Sequence, residues 1–171
     1  MAQSIRDQVS HSIKDAQDLY YQLVLLVGES GSGKTGVLQA VAEEFGTSVI
    51  NLNLVLSSEL LELTAKQRTL RLREILNQIA VNAQPPVFLD NLEILFDKAL
   101  GQDPLRLLQG ISRNRTIIAS WSGTNIGRRL SYAATGHAEN RCYDSVDGLI
   151  VRMDNTVTND SATNAGQQGQ A

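Results

Sequence analysis

Gly28-Glu29-Ser30-Gly31-Ser32-Gly33-Lys34-Thr35 fits the pattern G-x-x-x-x-G-K-[ST], and its flanks fix how the chain must use it. Before it, Leu23-Val24-Leu25-Leu26-Val27 is a short apolar run suited to a fully buried strand. After it, Leu38, Val41, Ala42 and Phe45 share one face of a helix expected over Thr35 to Phe45. Strand, glycine loop and helix together make a phosphate cradle. Successive backbone N–H groups line an anion-binding concavity, and the helix N-terminus adds unpaired donors and partial positive charge. The expected contact set is Gly28, Glu29, Ser30, Gly31, Ser32, Gly33, Lys34, Thr35 and Val37. Lys34 is expected at the β- and γ-phosphates and the Thr35 hydroxyl on Mg²⁺, so the implied ligand is a nucleoside triphosphate.

A second motif follows Pro85-Pro86. Val87-Phe88-Leu89-Asp90 is an apolar strand ending in a carboxylate, with proline where a strand tolerates it. An aspartate at the end of a strand beside the glycine loop can hold Mg²⁺ through its water shell. ATP hydrolases commonly place a glutamate directly after that aspartate to orient the attacking water, but here the position is Asn91. Glu93, two residues on, can take that part if the backbone turns sharply after the strand; the alternative is a surface or helix-capping glutamate. Catalytic candidates are therefore Lys34, Asp90 and Glu93, and metal candidates Thr35 and Asp90.

The rest of the chain supplies the frame. Ile5, Val9, Ile13, Ala16 and Tyr20 give an amphipathic helix over 3–19, set to pack across the sheet edge beside the nucleotide. Tyr20 and Tyr21 then either flank the base or serve as ordinary core-edge residues. A second strand is expected from Thr47 to Asn53, then a short helix over Glu59 to Leu63 capped by Ser57 or Ser58, and a longer one over 66–82. Asp103-Pro104 opens a further helix, with Asp103 as its cap. Arg115 to Ser122 reads as a buried strand whose Ser120 or Ser122 is a phosphate sensor or a turn serine. Arg113 and Arg115 fall at the wrong end of that strand to act in cis, whereas Arg128 and Arg129 follow it. Those two are either solvated or poised to reach a phosphate in a neighbouring protomer. Residues 123–145 suit a hairpin or irregular insert, in which His137, Glu139 and Cys142 fall short of a metal-ligand set. A last strand is expected over Gly148 to Met153.

Composition sets the outer bounds. The chain of 171 residues suits one domain (1–153), followed from 154 by a polar tail of Asn, Thr, Gly, Gln and Ala that is expected to be disordered. A formal net charge of −3 conceals a +4 balance over residues 104–152, which favours contact with phosphates or an acidic partner only weakly, DNA included. The single Cys142, no evident signal peptide and no apolar run of membrane-spanning length together suggest a soluble cytoplasmic protein.

Several blocks carry a more specific likeness: the glycine loop, Asn51-Leu52-Asn53-Leu54, and Leu89-Asp90-Asn91-Leu92-Glu93-Ile94-Leu95-Phe96-Asp97. Asp103 to Arg115 and the Tyr132…Gly136-His137 segment join them. Over roughly residues 20–145 the chain resembles the BrxF family, the small P-loop ATPase-like proteins of type 3 BREX (bacteriophage exclusion) systems. The resemblance implies anti-phage defence beside a DNA methyltransferase, an alkaline-phosphatase-like protein, a large ATPase and a helicase. It carries over Gly28 to Thr35 for phosphate, Asp90 for Mg²⁺, and Glu93 as a residue of the family pattern.

The expected fold is a three-layer α/β/α sandwich on a mainly parallel sheet. It resembles the core of AAA+-like ATPases with no evident C-terminal helical lid, so partners or a homo-oligomer are expected to complete the site. Three functions fit: a Mg²⁺-ATP switch or ATPase, a small-molecule kinase, and a non-catalytic nucleotide scaffold. A GTPase fits poorly, because neither N-K-x-D nor D-x-x-G is present where it would be needed.

Overall fold

A computed structural model describes residues 3–133 and 140–154. His137, Glu139 and the polar tail beyond Asp154 lie outside the described residues. Five strands make the main sheet: β1 (Leu23–Gly28), β2 (Val49–Asn51), β3 (Val87–Asp90), β4 (Ile117–Ile126) and β7 (Leu149–Arg152). They are ordered β2-β3-β4-β1-β7 and are parallel throughout. β4 therefore stands between the strand that enters the glycine loop and the strand that ends at Asp90.

Both faces of the sheet are buried, which is why β1 and β3 read as unbroken apolar runs and not as alternating ones. Leu23, Leu25 and Val27 face one core, with Leu89, Ile117, Ala119 and Trp121. Val24 and Leu26 face the other, with Phe88, Ile118 and Val151. The second core is closed by α1 (Ile5–Ala16) and α2 (Lys34–Glu44), through Val9, Ile13 and Ala16 and through Leu38, Val41 and Ala42. The first is closed by α3 (Leu52–Leu60), α4 (Ala65–Asn82) and α5 (Pro104–Ile111). The expected three-layer α/β/α sandwich is the observed one.

Two expectations change in detail. The second strand stops at Asn51, and a helix begins where the strand was expected to run on. Asn51 caps that helix by accepting the Leu54 N–H at 3.1 Å, and Leu52, Leu56 and Leu60 are buried at helical spacing. Ser57 and Ser58 lie inside this helix and cap nothing. Further on, α4 starts one residue early because Thr64 and Gln67 form a reciprocal capping box.

The insert after the fourth strand is a hairpin. β4 continues past the sheet and pairs antiparallel with β5 (Arg129–Tyr132), which pairs with β6 (Arg141–Tyr143). Gly127 (φ 59°) supplies the left-handed residue the tight turn requires. At the base of the hairpin a Cβ on Gly123 would run into the Ser131 carbonyl, so the two chains can approach only at a glycine. Trp121 donates its indole N–H to the Ser131 carbonyl at 3.1 Å. Tyr132 stacks on Phe96 with ring centroids 3.4 Å apart, which ties the hairpin to the turn that follows Asp90.

Candidate functional site

The C-terminal ends of β1, β3 and β4 converge on one side-chain group. β1 ends at Gly28, the loop runs to Gly33 in a left-handed conformation (φ 96°), and α2 begins at Lys34. A Cβ on Gly28 would lie within 3 Å of the Ser32 hydroxyl and of the Met153 side chain, so this turn needs glycine. The first turn of α2 thus sets Lys34 and Thr35 at the mouth of the loop.

Lys34 is buried, and its ammonium donates to the carbonyls of Gly28 and Glu29, each at 2.8 Å. Burial pushes its pKa below the ordinary lysine value, while Asp90 and Glu93 nearby pull it back up. The Thr35 hydroxyl donates to Asp90 Oδ2 at 2.6 Å, joining the two halves of the expected metal site. On the other side, the Ser120 hydroxyl donates to Asp90 Oδ1 at 2.6 Å. Both carboxylate oxygens are therefore aimed by hydroxyls, one from α2 and one from β4.

A divalent ion fits this donor set. Thr35 and Asp90 offer hard oxygen ligands side by side. Among the described residues no group of three His, Cys, Asp or Glu could cage a metal alone. Thr35 and Asp90 would hold Mg²⁺ together with water and phosphate oxygens.

Past Asp90 the chain turns sharply. Asn91 is left-handed (φ 56°) and Leu92 is buried, so Glu93 opens a 3₁₀ turn (Glu93–Phe96) and is exposed. Glu93 lines a cleft of about 560 Å³ together with Glu29, Ser30, Ser122 and Thr124. The turn that the sequence required for Glu93 to approach the loop is thus present, and the Phe96–Tyr132 stack holds it.

The two sensor candidates separate here. Ser120 is committed to Asp90, whereas Ser122, opposite Gly28 in the β1–β4 register, faces the Glu93 cleft. Arg128 is exposed at the hairpin turn. Arg129 Nε donates to the Cys142 sulfur at 2.8 Å, so its guanidinium is tied to β6. Arg113 stacks over the Tyr20 ring at 4.0 Å and Arg115 donates to the Ala80 carbonyl, both at the end of the sheet away from the loop. Tyr20 and Tyr21 precede β1 at that same far end, packed edge-to-face on each other at 4.8 Å. This corrects the base-flanking alternative. A strand of six residues separates the tyrosines from the phosphate loop, so they are edge residues.

Residues 24–120 match the family profile described as "AAA: ATPase family associated with various cellular activities (AAA)". Curated relatives include the ATP-dependent zinc metalloprotease FtsH 3 of Petrotoga mobilis, 37% identical over 70 residues, or 41% of this chain and 10% of that protein. The ATP-dependent zinc metalloprotease FtsH of Methylococcus capsulatus is 38% identical over 72 residues, 42% of this chain and 11% of that one. The match thus spans about a tenth of the length of these relatives. Among solved structures, AMPPCP-bound DnaA from Aquifex aeolicus aligns with 95% of this chain and 48% of its own, at a TM-score of 0.46 and 16% identity.

Proposed function

The chain belongs to the AAA family of ATPases, and on that premise we propose that it binds ATP with Mg²⁺ and hydrolyses it, as a nucleotide-dependent switch in a larger assembly. The observation that carries this reading is the convergence of Lys34, Thr35 and Asp90 at the C-terminal ends of β1 and β3, with Glu93 lining the adjoining cleft. Mg²⁺ supplies charge neutralisation on the β- and γ-phosphates when bound. Thr35 and Asp90 hold it. Lys34 exchanges its two loop carbonyls for phosphate oxygens, a charge-assisted and therefore stronger pairing. Backbone N–H groups of Glu29 to Thr35, with Val37 at the first turn of α2, cradle the phosphate chain. Glu93 orients the attacking water, Ser122 senses the γ-phosphate, and Arg128 serves a neighbouring protomer in a homo-oligomer.

The finer assignment is anti-phage defence of the BREX type, supported by the BrxF-like blocks at 51–54, 89–97 and 103–115. Its partners would then be the large ATPase, the methyltransferase and the phosphatase-like protein of such a system, in the cytoplasm. Direct DNA contact rests only on the +4 balance of residues 104–152. Domain limits of 1–153 with a polar tail belong to the same reading. The zinc-protease activity in the relatives' names is not carried over, since the match spans about a tenth of their length. A second reading, a switch that binds without turnover, is favoured by Asn91 standing where hydrolases carry glutamate.

Phosphate release by the purified protein with Mg²⁺-ATP separates the two. Glu93→Gln is expected to lower turnover by about 10²–10⁴-fold while ATP still binds. Wild-type protein that binds ATP without releasing phosphate, alone or with the other components, would favour the second reading.

A further inference from the structure

Two features stand open on the side of the sheet that α3, α4 and α5 cover. The first is a groove of about 490 Å³ between α4 and α5. Leu76, Leu107 and Ile111 form its buried floor, and Leu70, 71% exposed, stands on its rim. Gly110 keeps it open, since a Cβ there would meet nothing within 4 Å. Lys66, Leu70 and Arg73 recur at helical spacing along α4, and Arg106 is exposed on α5, against the single Glu74, so the rim is basic. The second feature is a ridge on α3. Leu54 and Leu61, at i and i+7 with Ser58 between them, are 68% and 73% exposed on one stripe. Glu59 and Glu62 are exposed beside it, and residues 52–63 contain no Lys or Arg. Among the described residues, Lys66, Arg73, Glu59 and Glu62 enter no ion pair.

We infer that the ridge and the groove are partners, and that α3 of one copy seats in the α4–α5 groove of a second copy to form a two-fold dimer. Shape and charge both agree. A helix presenting leucines at i and i+7 fits a groove between two helices by the ordinary packing of ridges into grooves. An acidic ridge meets a basic rim, whereas ridge on ridge or groove on groove would bring like charges together. Position agrees as well. α4 packs against both α3 and α5, so it lies between the ridge and the groove. A two-fold axis along α4, in the plane of the contact, carries the ridge of each copy onto the groove of the other, and both contacts close at once. The dimer covers Leu54, Leu61 and Leu70, which a monomer leaves as an apolar patch on one face. The glycine loop lies at the end of β1 and not on this helical face, so the dimer needs no nucleotide.

Sedimentation of the full chain without nucleotide, over a range of concentrations, tests this. Wild type and Lys34→Ala are both expected to be dimers that dissociate on dilution, and more readily as salt rises. Leu54→Ser with Leu61→Ser is expected to weaken the dimer by at least about 100-fold, because two leucines leave each of two equivalent contacts. Gly110→Trp should do the same from the other side, by filling the groove without touching the core. Both variants should keep the wild-type far-UV circular dichroism, since the residues changed are exposed. Mixing them is the decisive step. The Gly110→Trp protein keeps its ridge and the double variant its groove, so the mixture regains one of the two contacts and should associate where neither protein does alone. A wild type that is monomeric throughout would leave the groove to some other protein and overturn the inference. So would a dimer that both variants leave intact, or variants whose mixture stays monomeric. An oligomer that forms only with Mg²⁺-ATP and is lost in Lys34→Ala would mark assembly through the nucleotide site, and would equally count against this interface.

Discussion

Ser120→Ala removes one of the two hydroxyls that hold the Asp90 carboxylate. Both residues are 5% exposed and the bond is 2.6 Å long, so bulk water does not readily replace the lost donor. A hydrogen bond to a charged group contributes about 1.5–3 kcal/mol, and leaving one oxygen of a buried carboxylate short of its donor falls at the same scale. For a chain of 150–250 residues, each kcal/mol moves Tm by about 2–4 °C, so a fall of roughly 3–12 °C is expected. The cause is isolated by repeating the substitution in Asp90→Ala. There the Ser120 hydroxyl has lost its acceptor, and removing it should cost little. The coupling from this double-mutant cycle should be about 1–2 kcal/mol, read from denaturant midpoints at constant m. Ser120→Ala should also weaken Mg²⁺-ATP binding more than binding of ATP in chelator, because Asp90 is then aimed from one side only. Additive effects in the cycle would overturn this: Ser120 would be a packing residue and not the support of the Asp90 carboxylate.

The same structure predicts other outcomes. Gly123→Ala should destabilise by more than about 2 kcal/mol, because its Cβ meets the Ser131 backbone and neither chain can yield without breaking the β4–β5 pairing; thermal unfolding reads this. Burial holds Lys34 below the ordinary lysine value of 10.5, so between the two values the unfolded chain binds more protons than the folded one. Stability of the wild type relative to Lys34→Met should therefore rise as pH climbs toward 10.5, and a difference that stays flat up to that pH would contradict it.

Much of this arrangement is legible in the sequence because its signals are local. The glycine loop, the apolar runs into Gly28 and Asp90, and the Asp103-Pro104 helix start each need only neighbouring residues to specify them. The start of α3 is hard to read, since Leu52 follows a strand directly and one Asn51 cap decides between two periodicities. What the sequence leaves open is the meeting of distant residues. Ser120 and Ser122 differ by one pleat: the first supports Asp90 and the second faces the Glu93 cleft. The fixing of Glu93 by a Phe96–Tyr132 stack depends on a hairpin pairing that no short-range pattern announces. Tyr20 and Tyr21 look suited to a base until strand direction puts them at the far end of β1.

In the proposed function, Lys34, Thr35 and Asp90 form one triphosphate–metal site. Calorimetric titration of Mg²⁺-ATP into wild type and Lys34→Ala tests it most directly. One-to-one binding by the wild type, lost or weakened by more than about 100-fold in the variant with its fold intact, is the predicted result, given the worth of a buried charge-assisted pairing. Equal affinity in the two proteins would contradict the account.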